Sequence, residues 1–159
     1  MTIAIYPGSF DPITNGHLDI VKRASSIFEK LKIGVYDIPQ KLMLFSAVER
    51  VDLARKAVVD FKNVQVTSYS GITVEYARQA GAQVLVRGLR ASSDFEREFE
   101  MALMNKKLAP DIELVCFMAN LRYQFLSSSM LKEIIALGGN LDDMMPPHVS
   151  AALKKKLLP

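Results

Sequence analysis

The stretch Pro7-Gly8-Ser9-Phe10-Asp11-Pro12-Ile13-Thr14-Asn15-Gly16-His17 gathers the groups that hold phosphate. A glycine at position 8 lets main chain approach an anion closely. Ser9 offers a hydroxyl and its own N–H. Gly16-His17 puts an imidazole in the opening turn of a helical pattern, where unpaired N–H groups and the helix dipole favour negative charge. An imidazole there can donate a hydrogen bond to a phosphate oxygen that is gaining charge. A lone Gly-His pair reads more simply as a capped loop with a surface histidine. A strand-like run followed by a Pro-Gly-Ser turn tips the reading toward function. The stretch is not a Walker loop, for it lacks Gly-x-x-x-x-Gly-Lys-Ser/Thr. It also lacks the Gly-x-Gly-x-x-Gly fingerprint of dinucleotide-binding dehydrogenases.

Three further segments carry related chemistry. The loop Asp37-Ile38-Pro39-Gln40-Lys41 brings a lysine to the end of a strand; by itself, Lys41 is an ordinary solvated side chain. Arg87-Gly88-Leu89-Arg90 flanks a short apolar turn with two guanidinium groups that can fork onto phosphate oxygens. Asp94 and Glu98 follow Arg90 at i+4 and i+8, which predicts one shared helix face. Tyr123-Gln124-Phe125-Leu126-Ser127-Ser128-Ser129 ends in three hydroxyls at a helix start, where simple capping needs one. Tyr123 and Leu126 suit either an adenine ring or the core.

The elements that must position these groups alternate along the chain. Strand patterns run over Thr2–Tyr6 (stopped by Pro7-Gly8), Leu31–Tyr36, Val64–Ser68, Val84–Val86 and Glu113–Met118. Helical patterns begin at His17, at Ser46 (whose Ser-x-x-Glu spacing is a capping box), at Ile72, at Ser92, at Ser127 and after Pro146. Alternation of this kind predicts an α/β class: one domain over residues 1–159, with a doubly wound, five-stranded parallel sheet. In such sheets ligands bind beyond the carboxyl ends of the strands, where strand order reverses. All four segments follow strands.

Composition narrows the class. There are 20 basic and 17 acidic residues, interspersed, for a formal charge of +3. That is not the footprint of a protein that grips nucleic acid. No apolar run approaches the ~20 residues needed to span a bilayer, and the opening MTIAIYPGSF lacks the form of a secretory signal. The single cysteine, Cys116, allows no intrachain disulfide and reads as a small core residue of a cytoplasmic protein. His17 and His148 stand far apart with no supporting cysteines, so no protein metal site is expected. Nor is there a Ser-His-Asp or Cys-His arrangement. Met101, Leu103, Met104 and Leu108 give the helix from Ser92 an apolar surface that is either core or subunit interface.

Over essentially its whole length the chain resembles the bacterial phosphopantetheine adenylyltransferase family of the nucleotidyltransferase superfamily. The resemblance rests on YPGSFDPITNGHLDIVKRA, the loop ending in Lys41, VLVRGLRASSDFEREFEMALMN and YQFLSSSMLKE. Thr14-Asn15-Gly16-His17 matches the superfamily motif T-x-G-H, which indicates nucleotidyl transfer; the RGLR and triple-serine stretches narrow it to this family. The resemblance implies a Rossmann-like nucleotidyltransferase fold and transfer of the adenylyl group of ATP to 4′-phosphopantetheine, giving dephospho-coenzyme A and pyrophosphate. It implies that His17 stabilises the transition state, and that Ser9, Lys41, Thr73 and Arg87 bind the acceptor. Ser9, Phe10, His17, Gly88, Leu89, Arg90, Glu98 and Tyr123, Gln124, Phe125, Leu126, Ser127, Ser128 and Ser129 then bind ATP. Magnesium (Mg2+) held mainly by the ATP phosphates, a homohexamer and feedback binding of coenzyme A are also implied. Met43 stands where the family often has proline after the loop lysine, and Ser9 where many members have threonine, which keeps the hydroxyl.

The residues suit that reaction. The acceptor phosphate is already an anion, so positioning and electrostatics carry the catalysis and no protein nucleophile is needed. The same inventory leaves other readings open: a related transferase acting on nicotinamide mononucleotide or using CTP, a non-catalytic nucleotide sensor, or a basic nucleic-acid-binding protein with salt-sensitive binding.

Overall fold

The structure is a computed structural model that describes residues 2–37 and 42–158. Five strands, β1 (Ile3–Gly8), β2 (Lys30–Tyr36), β3 (Val64–Tyr69), β4 (Val84–Leu89) and β5 (Glu113–Met118), form one parallel sheet in the order β3-β2-β1-β4-β5. Six α-helices intervene or follow: α1 (Asn15–Ile27), α2 (Ala47–Ala57), α3 (Thr73–Gln79), α4 (Ser92–Leu108), α5 (Ser128–Ala136) and α6 (Pro147–Leu157). The chain builds outward from β1 through β2 to β3, then crosses to the other side of β1 for β4 and β5. Strand order therefore reverses between β1 and β4.

Alternate residues of β1 face opposite layers. Ala4 and Tyr6 enter a core built with α1, α2, α5 and α6, including Val21, Ala54, Leu131 and Leu153. Ile5 enters a smaller core with Val74, Ala77, Leu85 and Ile112. Burial on both faces explains the unbroken apolar run that marks this strand in the sequence.

β1 and β4 both run further than their sequence patterns predicted. β1 continues through Pro7-Gly8, which pair with Gly34 and Val35 of β2. On its other side β1 pairs with β4 only through Ala4 and Ile5. Pro7 has no N–H with which to extend that second ladder, and the two strands part at their carboxyl ends. β4 continues through Arg87-Gly88-Leu89, held extended by pairing with Cys116, Phe117 and Met118. Cross-strand pairing here overrides weak local propensity.

Cys116 is a correction: it is exposed, on β5 at the edge of the sheet. The Arg90–Asp94–Glu98 face is another. Arg90 precedes α4, whose N-cap is Ala91, so it shares no helix face with Glu98. The Ser46 capping box is present, with Glu49 N–H donating to Ser46 Oγ at 3.2 Å and Ser46 N–H to the Glu49 carboxylate at 2.7 Å. Among the described residues no helix is long and apolar enough to cross a membrane.

Candidate active site

A cavity of about 310 Å³ opens where β1 and β4 part. It lies at the switch point of strand order, as the sheet topology requires. Ser9 and Phe10 form its floor after β1, and His17 reaches it from the first turn of α1. Arg87, Gly88 and Arg90 enter from β4, and Tyr123, Leu126 and Ser127 to Ser129 close the far side. Among the described residues no carboxylate lines it.

His17 occupies the third position of α1 and completes a capping box with Thr14. Its main-chain N–H donates to Thr14 Oγ1 at 3.3 Å, and its Nδ1 accepts the Thr14 N–H at 3.0 Å. An imidazole whose Nδ1 accepts must carry its proton on Nε2 when neutral. It is kept neutral: burial, reinforced by the positive charges of Arg90 and Arg87, lowers its pKa from 6.5 to about 4. The rings of Phe10 and Tyr6 enclose it, with centroids at 5.0 and 6.3 Å. His17 thus presents a neutral N–H donor with its ring orientation fixed.

Arg87 spans the gap between the strands. Its Nη1 donates to Pro7 O at 3.0 Å, while Nε and Nη2 grip both oxygens of Glu98 at 2.6–2.9 Å. Burial opposes the charge, but the Glu98 hydrogen bonds outweigh it and hold the Arg87 pKa above its ordinary value. Arg90 donates to Leu126 O at 2.9 Å and pairs with Asp94, whose carboxylate also accepts the Arg90 N–H at 3.0 Å. Arg90 therefore ties the exit of β4 to the segment before α5.

The three serines divide their work. Ser127 caps α5, accepting the Met130 N–H at 3.1 Å. Ser128 Oγ donates to Pro12 O at 2.7 Å and fastens α5 to the loop after β1. Ser129 is exposed and lines the cavity. The N-termini of α1 and α5 both end at this cavity, adding two sets of N–H groups that favour an anion.

Not every candidate residue lies at the cavity. Glu98 acts on it through Arg87, and Leu89 is buried behind it. Gln124 and Phe125 do not line it, the Phe125 side chain standing out in solvent at 80% exposure. Thr73, the first residue of α3, pairs with Tyr69 Oη at 3.0 Å and does not line the cavity. Lys41 lies outside the described residues. Gly8 has a role that the sequence reading placed elsewhere: a Cβ there would stand 3.1 Å from the Phe10 ring, so the glycine makes room for that ring.

Two residues escaped the sequence reading. Arg50 of α2 is fully buried and donates to Phe45 O, Ser9 O and Tyr36 O at 2.7–3.1 Å. Its spacing from Leu53, Ala54 and Ala57 places it on the apolar stripe of α2, which was the available signal. Asp11 is also buried and accepts Leu44 N–H, Phe45 N–H and Lys132 Nζ at 2.6–3.0 Å. Burial would raise the Asp11 pKa, but the Lys132 ammonium and these two N–H groups hold it below the usual carboxylate range.

The arrangement gathers arginine side chains and two helix N-termini around a neutral imidazole donor, chemistry that suits an anion. Comparison with known proteins shows the family. Residues 5–134 match the cytidylyltransferase-like family. The chain is 54% identical over 155 residues to phosphopantetheine adenylyltransferase of Roseiflexus sp. (strain RS-1), covering 98% of this chain and 97% of that one. It is 52% identical over 156 residues to the Heliobacterium modesticaldum (strain ATCC 51547 / Ice1) protein of the same name, covering 98% and 93%. With the Dehalococcoides mccartyi (strain CBDB1) protein of that name it shares 50% over 155 residues, 98% of each chain. The chain belongs to the phosphopantetheine adenylyltransferase family, within the cytidylyltransferase-like proteins.

Proposed function

We propose that this chain transfers the adenylyl group of ATP to 4′-phosphopantetheine, yielding dephospho-coenzyme A and pyrophosphate in coenzyme A biosynthesis. The observation that carries the mechanism is the fixed, neutral His17 donor in a cavity lined by arginines, helix N-termini and no described carboxylate. A phosphate oxygen of the acceptor forms a bond to the α-phosphorus of ATP. The bond from that phosphorus to the oxygen bridging to the β-phosphate breaks, and pyrophosphate leaves with the electron pair. The attacking oxygen is already anionic, so no general base is needed and no covalent intermediate with the protein forms. His17 Nε2–H donates to a non-bridging α-phosphate oxygen, where charge accumulates in the transition state.

Arg87, Ser9, Lys41 and Thr73 are assigned to the acceptor. Ser9, Phe10, His17, Gly88 to Arg90, Glu98 and Tyr123 to Ser129 are assigned to ATP. Arg87 already faces the seam between the two halves through Pro7 O and Glu98, so an acceptor phosphate there meets a guanidinium of fixed orientation. Among the described residues no cluster of three or more His, Cys, Asp or Glu could hold a metal. Magnesium would be held mainly by the ATP phosphates and would offset their charge. Coenzyme A carries the acceptor's 4′-phosphopantetheine arm and would compete for the same groups, which is the basis for feedback. A cytoplasmic location fits a reaction that consumes ATP.

The test is pyrophosphate release from ATP and magnesium with and without 4′-phosphopantetheine, with nicotinamide mononucleotide as a control acceptor. Release that depends on 4′-phosphopantetheine is expected. Release only with the control would keep the chemistry and replace the acceptor. No release with either acceptor would leave a nucleotide-binding protein.

A further inference from the structure

Phe10 has φ +48°, alone among the described non-glycine residues in the left-handed region. A side chain as large as phenylalanine stays there only when its surroundings over-determine it. They do so from both sides. Immediately before Phe10, the Ser9 carbonyl accepts from Arg50 Nη1 at 2.7 Å. The same guanidinium holds Tyr36 O at 2.8 Å and Phe45 O at 3.1 Å, and its remaining nitrogen lies 3.9 Å from the Asp37 carboxylate. Immediately after Phe10, the Asp11 carboxylate is fastened by Leu44 N–H, Phe45 N–H and Lys132 Nζ. Arg50 and Asp11 are each 2% exposed, and neither lines the cavity. Burying two charges is unfavourable unless their hydrogen bonds are met, and an apolar residue would fill either volume at less cost. What an apolar residue cannot do is hold three carbonyls or two N–H groups in place.

The consequence is geometric. In a trans peptide the C=O and the following N–H point in opposite directions. With Ser9 O drawn toward Arg50, the Phe10 N–H is turned away from it, on the side of the cavity that Ser9 and Phe10 line. Among the described residues this N–H has no acceptor. The same turn seats the Phe10 ring edge-on against the His17 imidazole at 5.0 Å.

We propose that Arg50 and Asp11 are positioning residues that clamp the Ser9-Phe10-Asp11 main chain in its left-handed turn, making the Phe10 N–H a preorganised donor to a phosphate oxygen during adenylyl transfer. This rests on the function proposed above, and its test separates the two. Wild-type pyrophosphate release decides the function. The clamp is decided by Arg50→Lys, which keeps the charge but loses the fork, by Asp11→Asn, which keeps the shape but loses the charge, and by the wild-type Phe10 amide.

In each variant that folds, judged by circular dichroism, kcat falls about 10- to 100-fold while the KM for ATP changes by less than about threefold. In wild-type protein labelled with 15N-phenylalanine, saturating ATP moves the Phe10 amide proton downfield. If Arg50→Lys proves too unstable, Asp11→Asn and the amide shift still decide. A lowered melting midpoint with unchanged kcat would make the two residues purely structural and overturn the proposal. So would a rise in KM with unchanged kcat, or a Phe10 amide that ATP leaves in place.

Discussion

His17 works as a donor because its proton has one place to be. Thr14 N–H occupies Nδ1, and burial with Arg90 and Arg87 nearby keeps the ring neutral down to about pH 4. Its imidazole resonance should therefore titrate near 4 in the free protein. A midpoint near 6.5 would remove the electrostatic argument. The sign for stability follows. Between about pH 6.5 and 4 the unfolded chain binds a proton at this site that the folded chain refuses. The His17 contribution to stability is thus fully present above about 6.5 and declines as pH falls toward 4. Chemistry and capping can be separated at this residue. His17→Gln keeps a capping-box side chain on α1, so stability should hold within about 0.5 kcal/mol while turnover falls about 100- to 1,000-fold. Wild-type turnover in this variant would take His17 out of the mechanism.

At the scale of elements, the helix starts decide where the site's groups point, and most were legible. Ser46-x-x-Glu49 is a short-range signal that a sequence carries whole, and His17 was placed in an opening turn, although the helix starts two residues earlier with Thr14 as its cap. Ser46→Ala removes the acceptor for Glu49 N–H, while the Glu49 carboxylate keeps the residue-46 N–H and its pair with Lys156 at 2.9 Å. It should cost about 1 kcal/mol, read as a lower urea midpoint with unchanged slope; an unchanged midpoint would mean that α2 starts without its cap. The elements that escaped share one cause, dependence on a distant partner. Arg87-Gly88-Leu89 is strand only because β5 lies beside it, and nothing local favours that. Arg50 has a residue type that ordinarily means solvent, and its three carbonyl acceptors come from three separate segments. Cys116 sits in an apolar pattern, yet its strand is the edge of the sheet. The Pro7–His17 and Ser127–Ser129 segments were readable because each carries donors and helix start together.

At the scale of the whole molecule, one layer is incomplete. α4 presents Phe95, Phe99, Met101, Leu103, Met104 and Leu108, each at least half exposed. Exposed apolar residues concentrated on one element mark an interaction surface, and in the homohexamer that the family resemblance implies, closed symmetry would bury it between copies. The same helix carries Glu98, which sets the orientation of Arg87 in the cavity. A helix with no buried residue among those described is weakly held by its own chain. Packing against a neighbour would hold Glu98, and through it Arg87, in place. Assembly and activity should consequently fail together. Leu103→Asp combined with Met104→Asp puts charge on the apolar face and leaves the cavity residues untouched. Sedimentation should show a six-chain particle for the wild type and a smaller species for the variant, with kcat/KM for 4′-phosphopantetheine reduced about tenfold or more. A wild type that sediments as a single chain at micromolar concentration would overturn the hexamer. A dissociated variant with full activity would keep the hexamer but show that Arg87 is held by its own chain alone.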